Sequence, residues 1–469
     1  MKTSFVANNP GCHRLIILFS GWSTSPDFYT GISSEGWDVM VVYDYSDDGV
    51  SVRIPDRYST VLVVAWSLGV TAAEMALRHE AHRVAAAFAV NGTLAPADDI
   101  YGIPSGIYHD TEMSLNERNL RRFRHRLSTS RDPYRFPEDS PAAISPAESA
   151  DHDLTISRLR TELRLLASHS IPASADECVL PWRRTFIGSA DLIFPADAQR
   201  RAWEAHPLHP QICEWECGHY IPLSLIINNI LPDLTRIRNH FEASHDTYDA
   251  NATAQIHIAT RLADMAGDLI ADGDKPRYLL EIGPGTGCLT RRLQRLFSPQ
   301  HATFIDLCPL APFNMSPDER YVTADAEQWM AEAEADTFDF IASASTIQWF
   351  VDPRGFFRNA ARLLKPGGRL ICSTFVSGNL AELDALRPAP IIYHSSDEIY
   401  RMAAASFGNV SIEEEDIPVV FDSPRQALMH LKLTGVAGTA KSNIRNLLTS
   451  LPARPSLTYR ALYIRAIKN

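Results

Sequence analysis

The sequence predicts two α/β domains in tandem, on three observations. Short apolar runs rich in β-branched residues alternate with helical patterns twice along the chain, and each alternation contains one small-residue turn between a strand and a helix. A chain of 469 residues also exceeds what a single ordinary core accommodates. The division is expected at 1–235 and 236–469. In the first half, residues 15–19, 39–43 and 61–65 read as parallel strands buried on both faces, with 86–90 and 184–188 as later strands of the same sheet. A polar, arginine-rich insertion over 94–180 separates those two and leaves the sheet where lids over active sites are built. In the second half a helix (250–266), strand (277–282), glycine loop, helix (289–297) and strand (302–306) follow in the order of a doubly wound sheet, with later strands at 338–342 and 368–375.

Composition narrows the functional class. A hydrophobic fraction of 45% and a charged fraction of 21% belong to a globular protein, and a net charge of -12 argues against a general nucleic-acid binder. Seven cysteines without a CxxC pair do not form a disulfide framework. Cys213 and Cys217 lack the partners of a zinc site, so no metal is expected. No secretory signal is read near Lys2, and the uncharged run 59–77 contains Gly69 and changes period after Ser67, as a strand followed by a helix would. The expected compartment is the cytoplasm, with no membrane partner.

Serine needs a base, an orienting carboxylate and an oxyanion site before it becomes a nucleophile. The buried run 61–65 leads into A-W-S-L-G (65–69), which suits a sharp turn that presents Ser67 at a helix N-terminus, although Ala65 stands where glycine is usual. A helix-capping serine would give the same local pattern. Asp191, in G-S-A-D after a strand, and His219, in C-G-H-Y on a later loop, follow Ser67 in the order acid then histidine. Asp197 is the alternative acid. The backbone N–H groups of Leu68 and of Trp22, in F-S-G-W after the first strand, are the expected oxyanion donors. Together with N-G-T-L-x-P-x-D-D-x-Y-G-I-P (91–104), these motifs resemble the α/β-hydrolases, and more closely the BioG-type pimeloyl-[acyl-carrier-protein] methyl ester esterases, over residues 10–225. The resemblance implies hydrolysis of a methyl ester at the far end of a carrier-bound acyl chain. Arg118, Arg121, Arg122 and Arg124 cluster in the insertion of an acidic chain. They form either a solvated face or a surface that steers an acidic acyl carrier protein.

The second half carries E-I-G-P-G-T-G, with Glu281, Gly283, Gly285 and Gly287, between a strand and a helix. A glycine loop alone could bind several nucleotides. Asp306, at the end of the next strand, can accept from ribose hydroxyls; Asp325 can accept from an adenine amino group while Ala326 faces the ring. With L-L-K-P-G-G-R-L (363–370), the set resembles the class I methyltransferases with a Rossmann-like fold, implying S-adenosyl-L-methionine as methyl donor. F-x6-Y-x6-Q (Phe241, Tyr248, Gln255), I-Q-W-F (347–350) and H-L-K-x-T-G (430–435) resemble BioC-type malonyl-[acyl-carrier-protein] O-methyltransferases over 238–467. Tyr248, Trp349 and Phe350 are candidates for the methyl-acceptor pocket, with core packing as the plain alternative. Arg425 and Lys432 are both open as the cation for the acceptor carboxylate.

The two resemblances imply the entry and exit steps of pimeloyl synthesis for biotin: a malonyl carboxylate is masked as a methyl ester and later unmasked. A thioesterase-like hydrolase joined to a methyltransferase of another carrier-dependent pathway is the rival enzyme reading. An inert carrier-docking module in place of the hydrolase is the non-catalytic one.

Overall fold

A computed structural model describes residues 1–47, 51–137, 152–171, 178–270, 275–309, 313–386, 393–434 and 451–469. The chain divides into two compact units, 1–229 and 230–469. Both are built on mostly parallel sheets. Among the described residues no helix is long and apolar enough to cross a membrane.

The first unit runs β1 (Lys2–Ala7), β2 (Arg14–Phe19), β3 (Asp38–Tyr43), β4 (Thr60–Trp66), α1 (Gly69–Ala76), β5 (Val84–Val90), α2 (Ser105–Met113), α3 (Glu117–Arg126), α4 (His152–Ser168), β6 (Trp182–Gly188), α5 (Ala196–Glu204), β7 (Gln211–Trp215) and α6 (Leu223–Ile230). The sheet order is β1-β3-β2-β4-β5-β6-β7, parallel except for β1. All seven residues of β4 are buried, which is why the run carries no polar alternation. The chain winds outward from β2 to β3, then returns to β4 on the other side of β2. A sheet that reverses its winding leaves a crevice at the carboxyl ends of the two strands flanking the reversal. Phe19 pairs with Ala65, so the segments that follow β2 and β4 emerge side by side. The insertion expected at 94–180 contributes α2, α3 and α4 between β5 and β6; residues 138–151 and 172–177 of it lie outside the described residues.

The second unit runs α7 (Leu234–Asn251), α8 (Thr253–Leu269), β8 (Tyr278–Ile282), α9 (Thr290–Phe297), β9 (His301–Asp306), β10 (Glu319–Thr323), α10 (Ala326–Glu332), β11 (Phe338–Ser343), α11 (Pro353–Leu363), β12 (Leu364–Phe375), α12 (Ser396–Ala404), β13 (Asn409–Val420), α13 (Pro424–Leu433) and β14 (Ser456–Ile467). Its sheet order, β10-β9-β8-β11-β12-β14-β13, reverses between β8 and β11, and β14 is antiparallel to both neighbours. Alternate residues of the central strands serve opposite faces, as the pleat requires. Leu279, Phe304 and Phe340 pack with α8 and α9, whereas Leu280, Ile305 and Ile341 pack with α10, α11 and α12.

Two expectations change. The helix expected at 250–266 is two helices that meet at Ala252, whose ψ of 48° interrupts the helical path. The antiparallel pair β13–β14 was not anticipated. β13 is an edge strand carrying three consecutive glutamates and Pro418, features that blunt an edge and disguise a strand.

Candidate active sites

In the first unit the turn after β4 holds Ser67 at φ 59°, a left-handed conformation that costs a residue with a Cβ of order 1 kcal/mol. Its N–H donates to Val90 O at 2.8 Å. Gly92 lies directly across, where a Cβ would sit 2.2 Å from Ser67 O. The hydroxyl this turn presents is 2.9 Å from His219 Nε2. His219 Nδ1 is 2.8 Å from Asp191 Oδ2. Asp191 Oδ1 accepts from the N–H groups of Ile193 (2.7 Å) and Phe194 (3.0 Å), and Oδ2 also accepts from Gln199 Nε2 at 3.1 Å. The carboxylate is thereby held toward the imidazole, and the Phe194 ring stacks on it with a 7° interplanar angle. Asp197, the alternative acid, is exposed and paired with Arg200 at 2.6 Å, away from this line. A serine, an imidazole and a buried carboxylate in this order can perform acyl transfer with the histidine as proton carrier.

The covering helices meet this site through Trp22. Its indole N–H donates to Leu159 O of α4 at 3.1 Å, and its ring stands edge-on to Phe123 of α3, 4.8 Å away. The backbone N–H groups of Trp22 and Leu68 have no hydrogen-bond partner among the described residues. On α3, Arg118, Arg121 and Arg122 are exposed, and Arg121 makes a loose ion pair with Glu117 at 3.5 Å. Arg124 departs from the expected surface cluster. It is 8% exposed and donates to Ser23 O at 2.9 Å, because its helix position faces the Trp22 loop and not solvent.

In the second unit a cavity opens at the carboxyl ends of β8, β9 and β11 and is closed on one side by α7. Gly283, Gly285 and Gly287 all have positive φ (68°, 52° and 82°). At Gly283 a Cβ would also lie 2.2 Å from Thr346 Oγ1. Asp306 ties this loop down: Oδ2 accepts from Gly285 N–H at 3.0 Å and Oδ1 from Cys308 N–H at 2.9 Å, while burial pushes its pKa up. Asp325 caps α10, with Glu327 N–H donating at 3.0 Å, and Ala326 follows it on the cavity wall.

Glu281 is the unusual member. It is 1% exposed, neither carboxyl oxygen has a hydrogen-bond partner among the described residues, and burial pushes its pKa up to about 8. An orphaned buried carboxyl beside a preformed glycine loop fits a ligand that brings a positive charge.

Tyr248, Trp349 and Phe350 all line the cavity. Phe241 links two of them, its ring 6.2 Å from Tyr248 and 6.1 Å from Trp349. Phe350 also packs on Phe356 at 5.5 Å, so it serves the core as well. Burial raises the Tyr248 pKa, which keeps its hydroxyl protonated. Arg425 and Lys432, the two cations considered from sequence, are exposed on α13 and neither lines the cavity. Among the described residues the lining contains no lysine or arginine, and His245 is the one able to carry a positive charge. Gly435 of the H-L-K-x-T-G run lies outside the described residues.

Each half is similar to known proteins. The family "Pimeloyl-ACP methyl esterase BioG" matches residues 1–226, and "Methyltransferase domain" matches 254–406. A "Malonyl-[acyl-carrier protein] O-methyltransferase" of Bacteroides fragilis (strain 638R) is 30% identical over 484 residues, covering 98% of this chain and 94% of the relative. The chain belongs to that family. A family member from Porphyromonas gingivalis is 37% identical over 45% of this chain and 80% of its own length. The crystal structure of BioG from Haemophilus influenzae is 29% identical, covers 48% of this chain and 95% of its own, and has a TM-score of 0.37.

Two site residues were not singled out from sequence. Gln199, one helical turn into α5, holds both Asp191 Oδ2 and Phe194 O. Asn91 is fully buried; its Nδ2 donates to His219 O at 2.8 Å and its Oδ1 accepts from Gly188 N–H at 2.7 Å, tying the histidine loop to the end of β6. Asn91 opens the N-G-T-L motif, and that motif was its one visible signal.

The state of Glu281 has a measurable consequence. An ordinary glutamate titrates at 4.5 and this one at about 8, so the folded chain keeps a proton that the unfolded chain gives up. The stability contributed by the neutral carboxyl is complete below the unfolded pKa and is lost as pH rises through the folded one. In urea unfolding, wild type is expected to lose close to tenfold in folding equilibrium constant per pH unit between about 5.5 and 7.5, relative to Glu281→Gln. Parallel pH profiles for the two proteins would contradict this.

Proposed function

We propose that the chain is a bifunctional enzyme of biotin synthesis. Its second unit methylates the free carboxylate of malonyl-[acyl-carrier protein], and its first unit hydrolyses the methyl ester of pimeloyl-[acyl-carrier protein] to methanol and pimeloyl-carrier. The observation that carries this reading is the unbroken Ser67–His219–Asp191 hydrogen-bond chain within a protein whose relative is a malonyl-carrier methyltransferase over nearly its full length.

In the first unit, an α/β-hydrolase fold with α2–α4 as its lid, His219 Nε2 accepts the Ser67 proton as Oγ attacks the ester carbonyl. Asp191 fixes the tautomer that makes Nε2 the acceptor and stabilises the imidazolium that forms. The N–H groups of Leu68 and Trp22 receive the oxyanion. His219 then passes the proton to departing methanol, and a water molecule activated by the same imidazole releases the free acid and restores Ser67. Ser67 is only 2% exposed, so the ester reaches it through a covering that admits a chain end and excludes bulk water.

In the second unit the residues suit S-adenosyl-L-methionine, which supplies an electrophilic methyl group when bound. Glu281 would meet its cationic end, Asp306 its ribose, and Asp325 with Ala326 its adenine. The acceptor carboxylate is ionised at neutral pH and needs no general base. The work of Tyr248, Trp349 and Phe350 is to hold its oxygen in line and to keep water out.

Arg118, Arg121 and Arg122, exposed on a chain of net charge -12, form the docking surface for the acidic carrier. Arg124 supports the loop beneath.

Two outcomes are expected. Ser67→Ala lowers ester hydrolysis by on the order of 10⁴-fold or more while methyl transfer by the same protein is unchanged; hydrolysis at the wild-type rate contradicts the esterase assignment. Reversing Arg121 and Arg122 to glutamate raises KM for the carrier-bound ester and spares dimethyl pimelate. Equal effects on both esters remove the docking surface.

A further inference from the structure

We propose that Thr24 and Tyr29 are positioning residues of the esterase site, clamping the Gly21–Trp22 peptide so that the Trp22 N–H is aimed and polarised toward the reacting ester. The inference rests on the esterase reading above and adds two residues to it.

The geometry is a closed ring of three hydrogen bonds. Gly21 N–H donates to Tyr29 Oη at 3.1 Å. Tyr29 Oη and Thr24 Oγ1 are 2.9 Å apart. Thr24 Oγ1 is 2.7 Å from Gly21 O, to which it donates. The Gly21 carbonyl has no proton to give, so the Thr24 hydroxyl hydrogen points to it. Thr24 must then accept from Tyr29, and Tyr29 accepts from Gly21 N–H. Each hydroxyl therefore has one assigned role, with no alternative orientation that keeps all three bonds. Burial raises the pKa of the fully buried Tyr29, so its phenol keeps the hydrogen that the ring needs.

The ring acts on the right peptide. Gly21 C=O and Trp22 N–H belong to one planar trans unit and point in opposite directions. Fixing the carbonyl with Thr24 Oγ1, and with Thr24 N–H at 3.3 Å, therefore fixes the direction of the Trp22 N–H. Hydrogen bonds to the carbonyl also polarise the N–H on the far side of the same unit, making it a better donor. That N–H is uncommitted among the described residues. The peptide lies at the nucleophile: a Cβ on Gly21 would sit 2.5 Å from the Trp66 ring, one residue before Ser67, and a Cβ on Gly69 would sit 2.7 Å from Ser20 O. The loop is also held from outside the ring. Ser20 O accepts from Tyr45 Oη at 2.7 Å, and Ser23 O from Arg124. Thr24 and Tyr29 do not touch the ester, so they act through the peptide.

The test is steady-state hydrolysis of dimethyl pimelate by the full chain, with Tyr29→Phe, Thr24→Val, the double variant and Thr24→Ser compared with wild type and Ser67→Ala. One well-aimed oxyanion donor is worth roughly 10²–10³ in kcat, so a donor left in place but loosened should cost about tenfold. The expected result is a kcat lowered about tenfold in Tyr29→Phe and in Thr24→Val with KM within about twofold, a double variant no worse than either single one, and near-normal rates in Thr24→Ser. Binding of a trifluoromethyl ketone analogue, which places an oxyanion at the same peptide, should weaken in step with kcat. If Thr24→Val and Tyr29→Phe match wild type in kcat while Ser67→Ala is inert, the positioning role is refuted and the esterase reading stands. If Ser67→Ala itself hydrolyses the ester normally, that reading fails and takes the inference with it. Should Tyr29→Phe fail to fold, Thr24→Val and Thr24→Ser report on the same carbonyl, and equal rates in those two refute the clamp.

Discussion

A parallel sheet can be extended from a central strand in two directions, and where the winding reverses, no crossover helix covers the strand ends. That uncovered gap governs both halves of this protein. In the first unit it lies between β2 and β4, and there the chain places the Gly21–Trp22 peptide and the Ser67 turn. In the second it lies between β8 and β11, and there it places the glycine loop and the Thr346–Phe350 segment. The surrounding features keep each gap in working shape. Gly69 and Gly92 allow backbone to cross backbone at van der Waals limits around Ser67. Asp306 lashes the glycine loop, and Asn91 holds the histidine loop to β6.

The interactions that reached across the chain divide into those that chemistry announces and those that only packing creates. The hydrogen-bonded line of Ser67, His219 and Asp191 was readable because a candidate nucleophile, acid and base occur in a set order on loops at one sheet edge. The glycine loop was readable because a strand, a tight turn and a helix leave a local trace. The roles of Asn91 and Gln199 left no such trace, although Asn91 stands in the N-G-T-L motif: they are hydrogen bonds to main-chain atoms and to a carboxylate that folding alone brings within 3 Å or so, and any buried amide has the same sequence signature. Arg124 was misplaced for a related reason. Residues 118, 121 and 122 lie on the outer side of α3, and two positions further the helix has turned its side chain inward. The strands β1 and β13 were missed because edge strands are half-solvated and, in β13, deliberately acidic.

The cavity of the second unit bears on the order of events. Among the described residues its lining holds Glu242, Glu281, Asp306, Asp325 and Glu327 against one histidine. On the proposed function, such a lining suits a cationic ligand, and among the described residues an anionic acceptor would be held chiefly by that ligand's own charge. Methylation, on that reading, would neutralise the carboxylate and favour departure of the ester. On the account proposed here it returns to the same protein only after elongation, at Ser67, beneath the helices anchored by Trp22.

The central claim is that one chain installs a methyl ester which it must not remove until the acyl chain has grown. The direct measurement is kcat/KM for hydrolysis of malonyl-carrier methyl ester and of pimeloyl-carrier methyl ester by the full protein. A preference for the pimeloyl ester of at least about 10²-fold is expected, since its chain is four methylenes longer and each methylene held in an apolar pocket is worth about tenfold, or about 10⁴-fold if all four are held. Comparable values for the two esters would mean that the protein undoes its own product, and would contradict the account.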